Sequence, residues 1–199
     1  LPIVEIIPLF FELDGTFPHH EANPLDPANL KDLQNAVREN GADLGLAFDG
    51  DADRCIVVDE RGEIVPPSAV TAMIAEAEIA RSMLDGRSRP VVIGNAVSSR
   101  AVREVVEASG GVFVRTKVGH SIIKQEMADR DAVFGGEHSA HYYFREFFFA
   151  DSGMLAALHV LGALERSGAQ SLSSLLERYS PYAASGEINS RHEIADILQ

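Results

Sequence analysis

Positive charge is scarce in this chain. Seventeen Lys and Arg stand against 30 Asp and Glu, a formal net charge of -13 at pH 7. Nucleic acid is therefore not an expected partner, because binding it depends on Lys and Arg meeting phosphates. Cysteine is scarcer still: Cys55 is the only one, so no intrachain disulfide can form, and a reducing, cytoplasmic compartment is expected. No apolar run approaches the ~20 residues that a membrane helix needs, so a membrane is not an expected partner either. There is no internal repeat and no low-complexity tract. The opening Leu1-Pro2-Ile3-Val4 has neither Met nor a charged-then-apolar leader, and reads as the interior of a longer chain. Apolar residues are plentiful at 46%, enough for the core of one large domain or two small ones.

The pattern of apolar residues predicts alternating strands and helices. Residues 2–13 are β-branched and suit a strand with an irregular exit, and the Pro- and Asn-rich stretch 14–27 is a loop. His19 and His20 lie in that loop and read as exposed polar residues. Asp26 can cap a helix with Pro27 at its first position, and Leu30, Leu33 and Val37 continue a helical stripe that stops at Asn40-Gly41. A helix is expected from about Ser68 to Leu84, buried through Val70, Met73, Ile74, Ala77 and Leu84. Strands follow at 90–93, 112–115 and 132–134. Ser98 caps the helix of Val102, Val105 and Val106, and a further helix spans about 121–128. Residues 151–166 and 171–179 form two more helices, the first apolar nearly all round and so expected in the core. Residues from Ser180 onward read as a linker, a short strand and an unfinished element. This rhythm predicts an α/β fold with mixed, mostly parallel sheets sandwiched by helices.

The chemistry concentrates in Leu44–Val58. An apolar run ends in Asp49, Asp51 and Asp53, followed by Arg54 and a second β-branched run. Three carboxylates this close disfavour one another's ionisation, unless something positive sits among them. Hard divalent cations take oxygen ligands, and Mg²⁺ is held by a few carboxylates plus substrate phosphates. Asp49, Asp51 and Asp53 therefore read as a metal site at the carboxyl end of a strand. A solvated turn is the plain alternative. A calcium loop starting at Asp49 would place Glu60 at its twelfth position, but Arg54 stands where its sixth needs Gly. A phosphatase using Asp49 as nucleophile is a further alternative.

Two other clusters follow strands. In Gly135–Phe144, two glycines allow a sharp turn before Glu137, His138, Ser139, Ala140 and His141. Glu137 and Ser139 share a side if the loop is extended, and would suit neighbouring sugar hydroxyls. An incidental polar turn is the equal alternative. His141 can act as acid or base near neutral pH, or be structural. Lys117, Gly119 and His120 join a strand to a helix N-terminus, a combination that favours an anion. Phe147-Phe148-Phe149 reads as a packed loop.

In the order DGDADR (49–54), KVGH (117–120) and GEHSAH (136–141), these motifs resemble the α-D-phosphohexomutase family, in its bacterial phosphomannomutase/phosphoglucomutase branch. FFELDGTFP near the start and SGEIN near the end extend the likeness over the chain. Ala52 stands where the phosphoglucosamine branch typically has Gly. The resemblance implies four domains. Residues 1–63 would be the later part of domain two with the metal loop, 64–180 domain three with the sugar loop, and 181–199 a linker and the start of domain four. Domains one and four, with the phosphoserine and a phosphate-gripping loop, would lie elsewhere in the parent. It implies interconversion of hexose 6-phosphate and hexose 1-phosphate, with mannose or glucose as the sugar. A phosphoserine and a bisphosphate intermediate would carry the phosphoryl group, and Mg²⁺ would sit on Asp49, Asp51 and Asp53. Arg54, His120 and His141 would be catalytic. Glu137, His138, Ser139, Ala140, His141, Lys117, Gly119 and His120 would bind substrate. Members often carry a catalytic Lys after the strand near Ile93, and Asn95–Ser99 contains none. The chain alone would be inactive. A non-catalytic metal- or sugar-phosphate-binding module remains the alternative.

Overall fold

A computed structural model describes residues 4–183. Residues 4–26 cross the surface without regular structure and are mostly exposed. The expected strand over residues 2–13 is therefore absent over 4–13. β-propensity is realised only against a neighbouring strand, and Pro8 removes a ladder donor. Asp26 caps as expected, its carboxylate accepting from the Ala28 N–H at 2.9 Å, but the first turn, Pro27–Leu30, is a 3₁₀ helix. Helix α1 (Lys31–Asn40) follows, anchored by buried Leu30 and Val37.

Strands β1 (Leu44–Phe48) and β2 (Cys55–Asp59) form an antiparallel hairpin, so the aspartates occupy its connecting loop rather than the crevice of a parallel sheet. Helix α2 (Pro67–Leu84) follows. It is buried almost all round through Ala75, whereas its last residue, Leu84, is exposed, contrary to the stripe expected of it. Then come β3 (Val91–Asn95), α3 (Arg100–Ala108), β4 (Val112–Thr116), α4 (His120–Arg130), β5 (Phe134–Gly136), β6 (Tyr142–Phe144), β7 (Ala150–Asp151), α5 (Gly153–Ser167) and α6 (Leu172–Leu176). The cap of α3 is Ser99, whose side chain accepts from the Ala101 N–H; Ser98 instead hydrogen-bonds the end of β3.

The second sheet runs β4-β3-β5-β6-β7. β3 pairs in parallel with β4 and β5, whereas β5–β6 and β6–β7 are antiparallel, so only half of this mixed sheet is parallel. Alternation along the strands divides two cores. Val92, Phe134, Tyr142 and Phe144 pack towards α2 and α3, and β2 joins the same core. Ile93 and Tyr143 face Ile123 and Met127 of α4. Gly135 and Gly136 are strand residues, not the expected sharp turn. A Cβ on Gly135 would lie 2.8 Å from Met127 Sδ of α4, and one on Gly136 2.7 Å from Thr71 Oγ1 of α2, so their bareness lets both helices close on the sheet. Helix α5 buries one face only, with Met154 and Leu158 exposed, so it is amphipathic rather than the fully buried helix expected. Phe147 and Phe148 are exposed, and only Phe149 packs on the α4 core. The end of the chain, including SGEIN, lies outside the described residues. Among those described, no helix is long and apolar enough to cross a membrane.

Candidate functional site

The hairpin turn begins with a hydrogen bond from the Ala52 N–H to the Asp49 carbonyl at 3.2 Å, and Ala52 takes φ of 57°, a left-handed conformation that Gly would adopt more freely. Folding the loop in this way brings one carboxylate oxygen from each of Asp49, Asp51 and Asp53 to within 4.8 Å of the others. The three differ in environment. Asp49 is nearly buried and is clamped by Arg54, whose backbone N–H donates at 3.1 Å and whose Nε donates at 2.6 Å. Burial works against its charge, but these bonds outweigh it and hold its carboxyl below the ordinary carboxylate range. Asp51 is exposed. Asp53 keeps one oxygen, Oδ1, buried without a hydrogen-bond partner. Burial first, and then its contact with Asp49 and the nearby negative charges, push Asp53 up to about 6. An orphaned carboxylate oxygen beside two further carboxylates fits a hard divalent cation.

The trio is stitched to the second cluster. Arg54 and His141 form an antiparallel bridge, the Cys55 N–H donates to the Ala140 carbonyl at 3.2 Å, and the Gly153 N–H donates to the Ala52 carbonyl at 3.0 Å. The hairpin loop, the 137–141 turn and the start of α5 thus form one rigid corner. Within the turn, the Ala140 N–H reaches back to the Glu137 carbonyl and Ala140 has φ of 63°, so the segment is tight rather than extended. Glu137 and Ser139 nonetheless both approach His141 Nδ1, Glu137 Oε2 at 3.7 Å and Ser139 Oγ at 2.8 Å, and they differ in burial. Glu137 points inward, 3% exposed, accepting from Asn95 Nδ2 at 2.9 Å and from the Tyr143 hydroxyl at 2.7 Å. Ser139 stays at the surface with its Oγ 2.8 Å from His141 Nδ1. His138 is exposed.

His141 Nε2 lies 3.6 Å from Asp53 Oδ1. Burial lowers the pKa of His141, partly opposed by Glu137 and Asp151 and assisted by Arg54 and His120, which favours the neutral ring. His120, the first residue of α4, sits edge-on to His141 with ring centres 5.8 Å apart and contacts Asp151 at 3.2 Å. Lys117 and Gly119 lie on the loop before it, Lys117 exposed.

Two sequence alternatives fall to this geometry. Glu60, the twelfth position of a calcium loop, faces away and accepts from the Ser173 N–H at 3.1 Å at the start of α6. Asp49 is a poor nucleophile, since both of its oxygens accept from Arg54.

Asp151, Asn95, Tyr143 and Gly153 escaped the sequence reading. Asp151, Asn95 and Gly153 act through partners more than 30 residues away, and Tyr143 through a hydroxyl aimed back at Glu137; local spacing carries no signal for that. Only Asp151-Ser152-Gly153, a polar pair before a helix, offered a hint.

The raised pKa of Asp53 has a testable sign. In the metal-free chain the folded state keeps this proton to higher pH than the unfolded chain does. The group's stabilising contribution is therefore complete below its ordinary pKa of about 4 and is lost as pH rises through about 6. Thermal unfolding of the metal-free chain across this window is expected to show that decline, and Asp53→Asn is expected to flatten it. A variant profile parallel to the parent's would contradict this assignment.

Comparison with known proteins gives a consistent result. Residues 66–182 match the family described as phosphoglucomutase/phosphomannomutase, alpha/beta/alpha domain III, and residues 2–62 match domain II of the same family. The chain is 42% identical over 189 residues to a phosphomannomutase of Salmonella montevideo, covering 94% of this chain and 40% of that protein. It is 39% identical over 178 residues to a phosphomannomutase of Methanocaldococcus jannaschii, covering 89% of this chain and 38% of that one. A crystal structure of a phosphoglucomutase/phosphomannomutase family protein from Burkholderia thailandensis superposes with a TM-score of 0.80 at 31% identity, over 87% of this chain and 36% of that one. The chain thus spans about two fifths of the length of these curated relatives.

Proposed function

Because the chain belongs to the phosphoglucomutase/phosphomannomutase family, we propose that it is the metal- and sugar-binding part of a longer phosphohexomutase. That parent interconverts mannose or glucose 6-phosphate and 1-phosphate through a phosphoserine and a bisphosphate. It works in the cytoplasm, where its other domains supply the serine and a phosphate grip. The observation that carries this reading is the single corner built from the aspartate loop and the 137–141 turn, joined through the Arg54–His141 bridge.

Asp49, Asp51 and Asp53 would hold Mg²⁺, which when bound supplies charge neutralisation for a phosphate. Positioning and charge carry most phosphoryl-transfer catalysis, and the chain's own residues are arranged for both. Asp49 fixes Arg54 by its Nε, so the guanidinium stands as a preset positive group beside the trio. Neutral His141, held by Ser139 through Nδ1, can exchange a proton with a sugar hydroxyl at Nε2. His120, edge-on to His141, and Lys117, exposed on the loop before it, would serve the substrate phosphate. Glu137 is oriented from beneath by Asn95 and Tyr143, and each of its oxygens retains a second lone pair for a sugar hydroxyl entering the turn. Ser139, His138 and the backbone at Ala140 complete that rim.

Calorimetry on this chain tests the reading. Mg²⁺ is expected to bind weakly, since under this assignment the phosphate oxygen comes from elsewhere, and glucose 1-phosphate is expected to strengthen it. Asp51→Asn should remove the Mg²⁺ heat, and Glu137→Ala the sugar-phosphate heat. The chain alone should not convert glucose 1-phosphate in a coupled assay. Conversion by the pure chain, or tight Mg²⁺ binding indifferent to the sugar phosphate, would overturn the assignment.

A further inference from the structure

Beside the aspartate trio lies a second group of ligand-type side chains, which includes both imidazoles of this corner. One ligand atom each from Asp53, His120, His141 and Asp151 lies within 4.8 Å of all the others. These residues come from the hairpin loop, the start of α4, the end of the 137–141 turn and β7, so tertiary structure alone assembles them. His120 Nδ1 stands 3.2 Å from Asp151 Oδ2, and His141 Nε2 stands 3.6 Å from Asp53 Oδ1. Ligands at ~2.1 Å from a tetrahedral ion are about 3.4 Å apart, so both edges already have that span.

Two of these donors are poised for an ion, while His120 Nδ1 would have to exchange its hydrogen bond to Asp151 Oδ2 for one. A separation of 3.6 Å is too long for a hydrogen bond, so no proton joins His141 to Asp53, and Asp53 Oδ1 is buried without a hydrogen-bond partner, its other charged neighbour being Arg54 Nε at 3.9 Å. Ser139 engages Nδ1 of His141 at 2.8 Å, which turns Nε2 towards the cluster, an outer contact of the kind that orients metal-binding histidines. Lys124 Nζ takes Asp151 Oδ1 at 2.8 Å and leaves Oδ2 on the His120 side. The donors are two imidazoles and two carboxylates. Mg²⁺ prefers an octahedron of oxygens, whereas imidazole suits Zn²⁺ and its neighbours.

We propose that Asp53, His120, His141 and Asp151 form a second cation site, selective for Zn²⁺ over Mg²⁺ and sharing Asp53 with the aspartate trio. Resting on the function proposed above, this site overlaps the side that receives the sugar phosphate, so Zn²⁺ and hexose phosphate exclude one another there.

Cobalt(II), a coloured stand-in for Zn²⁺, tests the site on the metal-free chain. One equivalent is expected to give the intense visible bands of a four- or five-coordinate ion. Zn²⁺ should abolish them, and excess Mg²⁺ should not. His141→Ala and Asp151→Asn should each weaken Co²⁺ binding at least about tenfold, whereas Asp51→Asn, which touches only the trio, should leave the bands intact. His120→Ala repeats the measurement at a side chain that is 49% exposed, where loss of fold is not a concern, and circular dichroism checks the other variants. Weak bands like those of aqueous Co²⁺, bands that survive His120→Ala, or bands lost on Asp51→Asn would each overturn the site. Bands that behave as expected but resist glucose 1-phosphate would uphold the site and count against the proposed substrate overlap alone.

Discussion

Gly153→Ala is expected to be among the most damaging single-methyl changes in this chain, although the residue carries no chemistry. A Cβ at this position would meet the Arg54 carbonyl oxygen in a hard clash, with the Arg54 carbonyl carbon at 2.6 Å and the Ala52 carbonyl oxygen at 2.9 Å. All three are backbone atoms, so no side chain can swing aside. The Gly153 N–H also donates to the Ala52 carbonyl at 3.0 Å, pinning the start of α5 to the aspartate loop. Overpacking of this kind costs about 1–3 kcal/mol, a fall of order 5 °C in the unfolding midpoint for a chain of this size. The chain can relieve the clash only by moving the loop from the helix, which would spread Asp49, Asp51 and Asp53. Loss of stability and of Mg²⁺ binding should therefore appear together. A variant that unfolds early but binds Mg²⁺ normally would show that α5 does not position the loop.

What could be read from the sequence, and what could not, follows the range of the interactions. The aspartate trio and Arg54 were legible because their spacing is local and few folds tolerate three carboxylates at alternate positions without a use for them. Helix α2 and strand β3 were legible for the same reason, from apolar runs bounded by Pro and Gly. The inward turn of Glu137 was not. Spacing of two carries no signal of burial, and the left-handed Ala140 closes the segment into a turn that buries Glu137 and leaves Ser139 half-buried. The sheet is mixed, as expected, and its antiparallel part falls at β5–β6–β7 because a five-residue connection after Gly136, and the short Arg145–Phe149 link after β6, permit only antiparallel pairing. The capping error at Ser98 has a similar origin, since Asn95 claims that hydroxyl for the end of β3.

Asn95 leads to the second large effect. It occupies the end of β3, 1% exposed, in the loop where the family resemblance leads one to look for a lysine. Its amide orientation is fixed by its neighbours. Oδ1 accepts from the Val97 N–H at 3.1 Å, so Nδ2 must be the atom that donates to Glu137 Oε1 at 2.9 Å. Asn95→Asp keeps the shape and the acceptor for Val97 but sets a second carboxylate against the first. Two buried carboxylates at this distance cannot both ionise, and the pair must retain one proton in the folded state. The unfolded chain holds no such proton at neutral pH, so the folded variant binds more protons than the unfolded one and its stability falls as pH rises above about 5. Replacing the donor of a buried carboxylate by a second carboxylate is expected to cost roughly 3 kcal/mol at pH 7. The expected result is a variant close to the parent near pH 4 and well below it at pH 7.5, with Glu137→Gln in the same chain restoring most of the difference. Equal stability of Asn95→Asp and the parent at pH 7.5 would mean that Glu137 is not held from beneath, and would remove the support for its orientation towards a sugar.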